Sequence, residues 1–201
     1  MTKGTFKEQY EALNGKSNPF RGRIYRPISL VSDDLFVQKS GTEIVKMMDD
    51  KESFYLYIGD EKCPWCRSVL EMAEKVALRN DIRRIFYIKI WNDEHREIFR
   101  DQYVLEDGKL IKTEEGDPSY NTLLDKLGVF LKQYTLFDQD GKEIDAGEKR
   151  VFIPGFFCIE DGIPVRFTTG VSEIQADPLE EFNPIILADE EDRFMTLFGE
   201  I

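Results

Sequence analysis

Cys63 and Cys66 flank Pro64 and Trp65, and two thiols three residues apart on a helical turn are suited to thiol–disulfide exchange. One thiolate attacks a disulfide sulfur to form a mixed disulfide. A second thiol within reach then attacks that bond and releases the partner in reduced form. Pro64 suits the first turn of a helix, because its missing N–H would be unpaired there anyway. Trp65 offers a large flat surface beside the reactive sulfur.

Those roles depend on the elements that hold the pair. Phe54-Tyr55-Leu56-Tyr57-Ile58 is apolar at every position, the pattern of a strand covered on both faces. Residues 67–79 place Val69, Met72, Ala73, Val76 and Ala77 at helical spacing, with Arg67, Glu71, Glu74, Lys75 and Arg79 on the other side. A second apolar run, Ile85 to Trp91, completes a strand–helix–strand unit whose strands should be parallel. At the start of such a helix the free N–H groups and the dipole favour an anion and lower a thiol pKa. Cys63 is therefore the candidate nucleophile, expected at the mouth of the turn, exposed and ionisable. Cys66, shielded one turn in, is the candidate resolving thiol.

Other segments carry weaker signals. Thr5-Phe6-Lys7-Glu8 and Ser40-Gly41-Thr42-Glu43 have capping-box spacing and open two helices, the first stopping at Gly15. Residues 16–35 contain Pro19, Gly22 and Pro27, which suggests an irregular arm with a strand near Ile28 to Val31. From Asn92 to Tyr134 the pattern reads as helical, with Asp117-Pro118 as N-cap and first turn and an apolar stripe from Tyr120 to Leu131. Glu106-Asp107-Gly108 and Gln139-Asp140-Gly141 mark turns. Val151 to Ile159 and Ile163 to Thr168 meet at Glu160-Asp161-Gly162, a strong hairpin signal. A last helix is expected from Asp189, bearing Phe194, Leu197 and Phe198.

The totals limit the partners. Lys plus Arg number 27 against 39 Asp plus Glu, a net charge of -12. A surface this acidic repels phosphate backbones and anionic lipid, so neither nucleic acid nor a membrane is an expected partner. Hydrophobic residues at 41% allow a sizeable core in 201 residues. Three cysteines do not make a disulfide framework. Met1 to Lys7 lacks the apolar run of a signal peptide, and the expected location is the cytoplasm unless a signal segment has been replaced.

Three other readings compete with dithiol chemistry. The pair could be half a zinc site, a structural pair, or a coincidence of spacing. Zinc usually takes four ligands, and the remaining candidates are Cys158, on an expected buried strand, and His95, in a polar stretch expected at the surface. Cys158 by itself reads as an inert core thiol.

The order of helix, Phe54–Ile58 strand, Cys63-Pro64-Trp65-Cys66 helix, Ile85–Trp91 strand and closing hairpin resembles the thioredoxin superfamily over roughly residues 36–170. The resemblance implies an α/β three-layer fold with a mixed sheet in a single domain. Residues 1–35 form an N-terminal extension, residues 92–150 a helical insertion before the cis-proline strand, and residues 171–201 a C-terminal segment and helix. It also implies that Pro154 is a cis-proline facing the Cys pair and that the Ile153 backbone pairs with an extended substrate. Substrate contacts would then come from Pro64, Trp65, Ile153 and Pro154, with no cofactor and no metal. Thioredoxin proper has Gly-Pro between its cysteines and a buried Asp where this chain has Tyr57. Pro-Trp looks more like glutaredoxins, and small Gram-positive proteins known as bacteriocin-transport accessory proteins look most similar. The expected activity is disulfide reduction on a disulfide-containing protein or small molecule, with electrons from a reductase or a low-molecular-weight thiol. A non-catalytic peptide-binding or accessory module is the alternative, and an oxidase or isomerase of an exported compartment is a third.

Overall fold

The computed structural model describes residues 4–18, 22–94, 96–106, 109–138 and 140–199. In chain order the elements are α1 (Phe6–Glu11), β1 (Phe36–Gln38), α2 (Gly41–Asp49), β2 (Phe54–Gly59), α3 (Pro64–Arg79) and β3 (Ile85–Lys89). Then follow β4 (Gln102–Glu106), β5 (Lys109–Glu114), α4 (Tyr120–Leu127), β6 (Lys132–Phe137), β7 (Glu143–Arg150), β8 (Gly155–Glu160), β9 (Ile163–Thr168) and α5 (Pro184–Phe198). No helix among the described residues is long and apolar enough to cross a membrane.

The central sheet has five strands in the order β1-β3-β2-β8-β9. β1 and β2 flank β3 in parallel, while β8 and β9 run antiparallel. That is the thioredoxin-like arrangement. It explains why the run at 54–58 is apolar throughout: β2 is paired on both sides and covered on both faces. Tyr57 faces a core shared with α1, α3 and α5, and Leu56 and Ile58 face a second core shared with α2 and α4. β8 alternates likewise, with Phe156 and Cys158 on the first face and Phe157 and Ile159 on the second.

Both capping boxes form, at Thr5 and at Ser40. α1 ends at Glu11, short of Gly15, which takes a left-handed φ in the turn beyond. At the tip of the β8–β9 hairpin Gly162 has φ 78°, and a Cβ there would lie 2.0 Å from the Met48 carbonyl oxygen. Only glycine fits that approach.

Several expectations need correction. Residues 28–31 form no strand; the arm runs without regular structure to β1, which is only three residues long. The insertion is not helical. It carries two antiparallel hairpins, β4–β5 and β6–β7, around the single short helix α4. Of the expected turns, Asp107, Gly108 and Gln139 lie outside the described residues, as does Pro19. The first strand of the closing hairpin starts at Gly155 rather than Val151, because residues 151–154 turn into it. α5 starts earlier than Asp189, where the Asn183 side chain accepts the amides of Ile185 and Ile186 and Pro184 fills the first turn.

The N-terminal arm is tied to α3 by Arg67, which is 1% exposed. Its guanidinium donates to the carbonyls of Arg26 (2.8 Å), Tyr10 (2.8 Å) and Glu61 (3.3 Å) and to Asn14 Oδ1 (2.7 Å). Replacing it by alanine leaves several buried acceptors unpaired, each costing about 1–3 kcal/mol. We expect Arg67→Ala to lower stability by more than about 3 kcal/mol on that basis, and to open the arm to trypsin at Arg23. An arm as resistant as in the wild type would disprove this anchoring.

Glu190 on α5 is fully buried, and neither carboxyl oxygen has a hydrogen-bond partner among the described residues. Burial pushes its pKa up to about 8, against the pull of Arg26. The folded chain thus favours the neutral acid, and its stability should fall as pH rises from the ordinary glutamate range toward about 8. Glu190→Gln cannot ionise. Its melting temperature should gain on the wild type by several degrees between pH 5 and pH 9; a constant difference would contradict the assignment.

Candidate active site

Cys63 is the N-cap of α3, and its Sγ accepts the backbone N–H of Cys66 at 3.3 Å. The sulfur thus does the work that a serine or aspartate oxygen does at other helix starts. Pro64 occupies the first helical position. Both thiols are free.

The two sulfurs titrate in opposite directions. Burial opposes ionisation of Cys63. Hydrogen bonds from the Cys66 side chain and from the amides of Cys66 and Trp65 outweigh it, and the pKa ends below the ordinary thiol value. Cys66 is 0% exposed. Burial, then its hydrogen bond and charge interaction with Cys63, push its pKa well up. The Tyr57 hydroxyl hydrogen-bonds Cys66 and pulls the other way. Tyr57 in turn lies 2.8 Å, oxygen to oxygen, from the Tyr10 hydroxyl. A chain of buried hydroxyls therefore runs from the second cysteine into α1.

The turn from β2 into α3 is packed with charge. Asp60 is 1% exposed and accepts the amides of Lys62 (3.0 Å) and Trp91 (2.9 Å). Burial and the neighbouring Glu61 raise its pKa to about 7, despite those amides and Lys89. Glu61 is held by Lys89 at 2.8 Å, and Lys62 Nζ donates to the Asn92 carbonyl at 2.6 Å. Sequence reasoning missed Asp60, Arg67 and Tyr10. Asp60 adjoins the motif and was legible as a nearby acid; nothing in the sequence places Tyr10 against Tyr57.

The Ile153–Pro154 peptide bond is cis. Gly155, the next residue, pairs with Ile58 across β2 and β8, so Pro154 lies beside the end of β2 from which the Cys turn departs. Ile153 and Trp65 pack against the core cluster that contains Cys63 and Cys66. Trp65 and Ile153 thus border the same core as the two thiols, and Ile153 also packs against the second core. Neither Phe152 nor Ile153 makes a backbone hydrogen bond among the described residues.

One expectation about Cys63 fails: it is 5% exposed, not open. Pro64 lies in a narrow cleft of about 10 Å³ with Asn18, Arg23, Ile24 and Tyr25 of the arm and Pro178 and Leu179 of the C-terminal segment. Arg23 and Asp177 pair at 2.6 Å, and Arg26 donates to the Pro178 carbonyl at 2.9 Å. The two extensions, joined to each other, close this cleft over Pro64.

Cys158 is buried on β8, far along the sheet from the turn, and accepts from Arg166 at 3.2 Å. Burial raises its pKa in spite of Arg166. No cluster of three or more metal-ligating side chains occurs among the described residues, and His95 lies outside them.

No family model matches the chain, and no curated protein matches it. The similarity to bacteriocin-transport accessory proteins therefore finds no support there. Among solved structures, thioredoxin O2 from Arabidopsis thaliana in its oxidized state is similar, with a TM-score of 0.37 and 14% identity over 70% of this chain and 87% of that one. The thioredoxin-like fold is defined by the strand order and directions given above.

The opposed shifts predict selective chemistry. In the reduced protein, iodoacetamide should modify Cys63 first, with a pH midpoint below that of an ordinary thiol, while Cys66 stays unmodified until the chain unfolds. Peptide mapping of the alkylated protein decides this, and equal modification of both thiols would refute it.

Proposed function

We propose that the protein is a thiol–disulfide oxidoreductase working chiefly as a disulfide reductase. The observation that carries this reading is the Cys63 sulfur at the N-cap of α3, 3.3 Å from the Cys66 amide. Its pKa is lowered while that of Cys66 is raised. The thiolate form is favoured at Cys63, and a neutral thiol waits one turn away.

The Cys63 thiolate attacks a substrate disulfide. The S–S bond breaks, one substrate sulfur leaves as thiolate and takes up a proton, and the other stays bonded to Cys63. Cys66 then gives up its proton and attacks the Cys63 sulfur, releasing the second substrate thiol. The two electrons gained by the substrate are those lost in forming the Cys63–Cys66 disulfide. A reductase or a low-molecular-weight thiol restores the dithiol. Hydrogen bonding from Tyr57 stabilises the Cys66 thiolate as it forms. Pro64 and Trp65 flank the attacking sulfur, and the open backbone at Ile153, beside Pro154, holds the substrate extended. The substrate is a disulfide-containing protein or small molecule, and the reaction takes place in the cytoplasm.

The cover over Cys63 favours a second reading, a non-catalytic module that binds a peptide in the same groove. Binding that survives in the Cys63→Ser/Cys66→Ser double variant, without any turnover, would select it.

For the reductase, Cys63→Ser should reduce turnover to background, and Cys66→Ser should accumulate Cys63 mixed disulfides visible by mass. Activity remaining in Cys63→Ser would overturn the role of that thiol. Equilibration in graded thiol buffers should give a two-electron midpoint near about -270 mV; one near about -120 mV would mark an oxidase instead.

A further inference from the structure

A second apolar site lies next to the open backbone at Phe152 and Ile153. Phe130, Leu131, Phe152 and Phe167 wall a cavity of about 250 Å³, with Lys132 and Arg150 also in its lining. Most of it is built by the insertion: the segment after α4, the start of β6 and the end of β7. Phe152 lines it from the loop that leads to Pro154. The Phe130 and Phe167 rings stack with centroids 6.0 Å apart, and Phe167 packs on Phe157 at 4.7 Å, so the inner wall is anchored in the core. Phe152 is 43% exposed at the rim of the cavity, with its ring 6.5 Å from that of Tyr134. An apolar cavity of about 150 Å³ is enough to hold benzene, so this one has room for a large side chain.

The charges at the site differ. Arg150 is engaged: it donates to the Asp101 carbonyl at 2.7 Å, lies 3.5 Å from Glu97 and covers the Tyr134 ring at 4.4 Å. Lys132 is exposed at the start of β6 and pairs with no acid among the described residues. Its ammonium is therefore free to meet a carboxylate at the cavity's edge.

We propose that this cavity is a specificity pocket for an extended peptide carrying the disulfide, and that it receives a large apolar side chain with a carboxylate neighbour. The inference rests on the oxidoreductase reading and adds the substrate class. A strand laid along Phe152 and Ile153 places alternate side chains on one face. The cavity takes one of them, and Lys132 meets the acid beside it. The insertion thus selects the substrate while the Cys turn performs the exchange.

The test uses the full-length protein and a panel of hexapeptides, each with one Cys carrying a thionitrobenzoate disulfide. A Phe-Asp pair, or Ser-Asn as its control, is stepped through the positions around the Cys. At one position the Phe-Asp peptide should show kcat/KM about tenfold above its Ser-Asn control, from burial of part of the ring. Phe152→Ser and Lys132→Glu should each shrink that ratio, and Lys132→Glu should turn the preference toward Phe-Lys. Equal rates across the panel, or a preference that survives both substitutions, would overturn the pocket. Bis(2-hydroxyethyl) disulfide, too small to reach the cavity and the Cys turn together, is assayed alongside, and its reduction shows that the exchange chemistry stands whatever the panel gives. If no disulfide is reduced, anisotropy of labelled Cys→Ser peptides reads the pocket directly. The same tenfold preference in affinity upholds it, and equal affinities sink it.

Discussion

A guanidinium with no carboxylate within ion-pair distance among the described residues lies inside the molecule one residue past Cys66, and much of the site follows from satisfying it. Burying a charge is expensive unless every donor finds an acceptor, and burial lowers the Arg67 pKa from its ordinary value. The acceptors come from separate stretches: α1 at Tyr10, the following turn at Asn14, the arm at Arg26 and the Cys turn at Glu61. They converge only when the N-terminal arm lies across the start of α3. Once it does, Tyr10 reaches Tyr57, Tyr25 comes over the guanidinium at 5.5 Å, and Cys63 is covered. One buried cation thereby couples the extension to the thiols.

The reactive turn is organised by competition between burial and hydrogen bonding. Two cysteines on the same turn are both removed from water, and desolvation alone would raise both pKa values. The helix start breaks the symmetry, since the amides of Trp65 and Cys66 point at Cys63, while Cys66 has the single amide of Asp60. Tyr57 then gives Cys66 a neutral partner where an acid would add a further charge to a buried site. Asp60 already supplies one titratable acid near pH 7, held by backbone amides at the edge of the turn.

The strand–turn–helix–strand unit was readable because local pattern and tertiary role agree there. β2 is apolar at every position since both of its faces are covered, and α3 carries its apolar stripe toward the sheet. The hairpins of the insertion were not readable, because their burial is shallow. Along β7 the half-buried and exposed positions alternate, but Glu148 and Arg150 fall on the inward set, so the alternation is absent from hydrophobicity. β5 is exposed at all but one position, and half of its six residues are charged. Short strands stabilised by each other leave little apolar trace.

By itself the sequence determined the dithiol, its place between a buried strand and a helix, the second strand of that unit and the closing hairpin. These rest on spacing, capping and periodicity, which act over a few residues. Only the tertiary structure decided that Cys63 is covered, that Tyr10, Asp60 and Arg67 surround the thiols, and that the insertion forms an apolar cavity beside Ile153. Each of these depends on contacts between residues far apart in the chain, such as Tyr10 with Tyr57 and Phe130 with Phe167. Such contacts follow from how buried polar groups find partners and how apolar faces close, and that is settled by the packing of the whole chain rather than by any one segment.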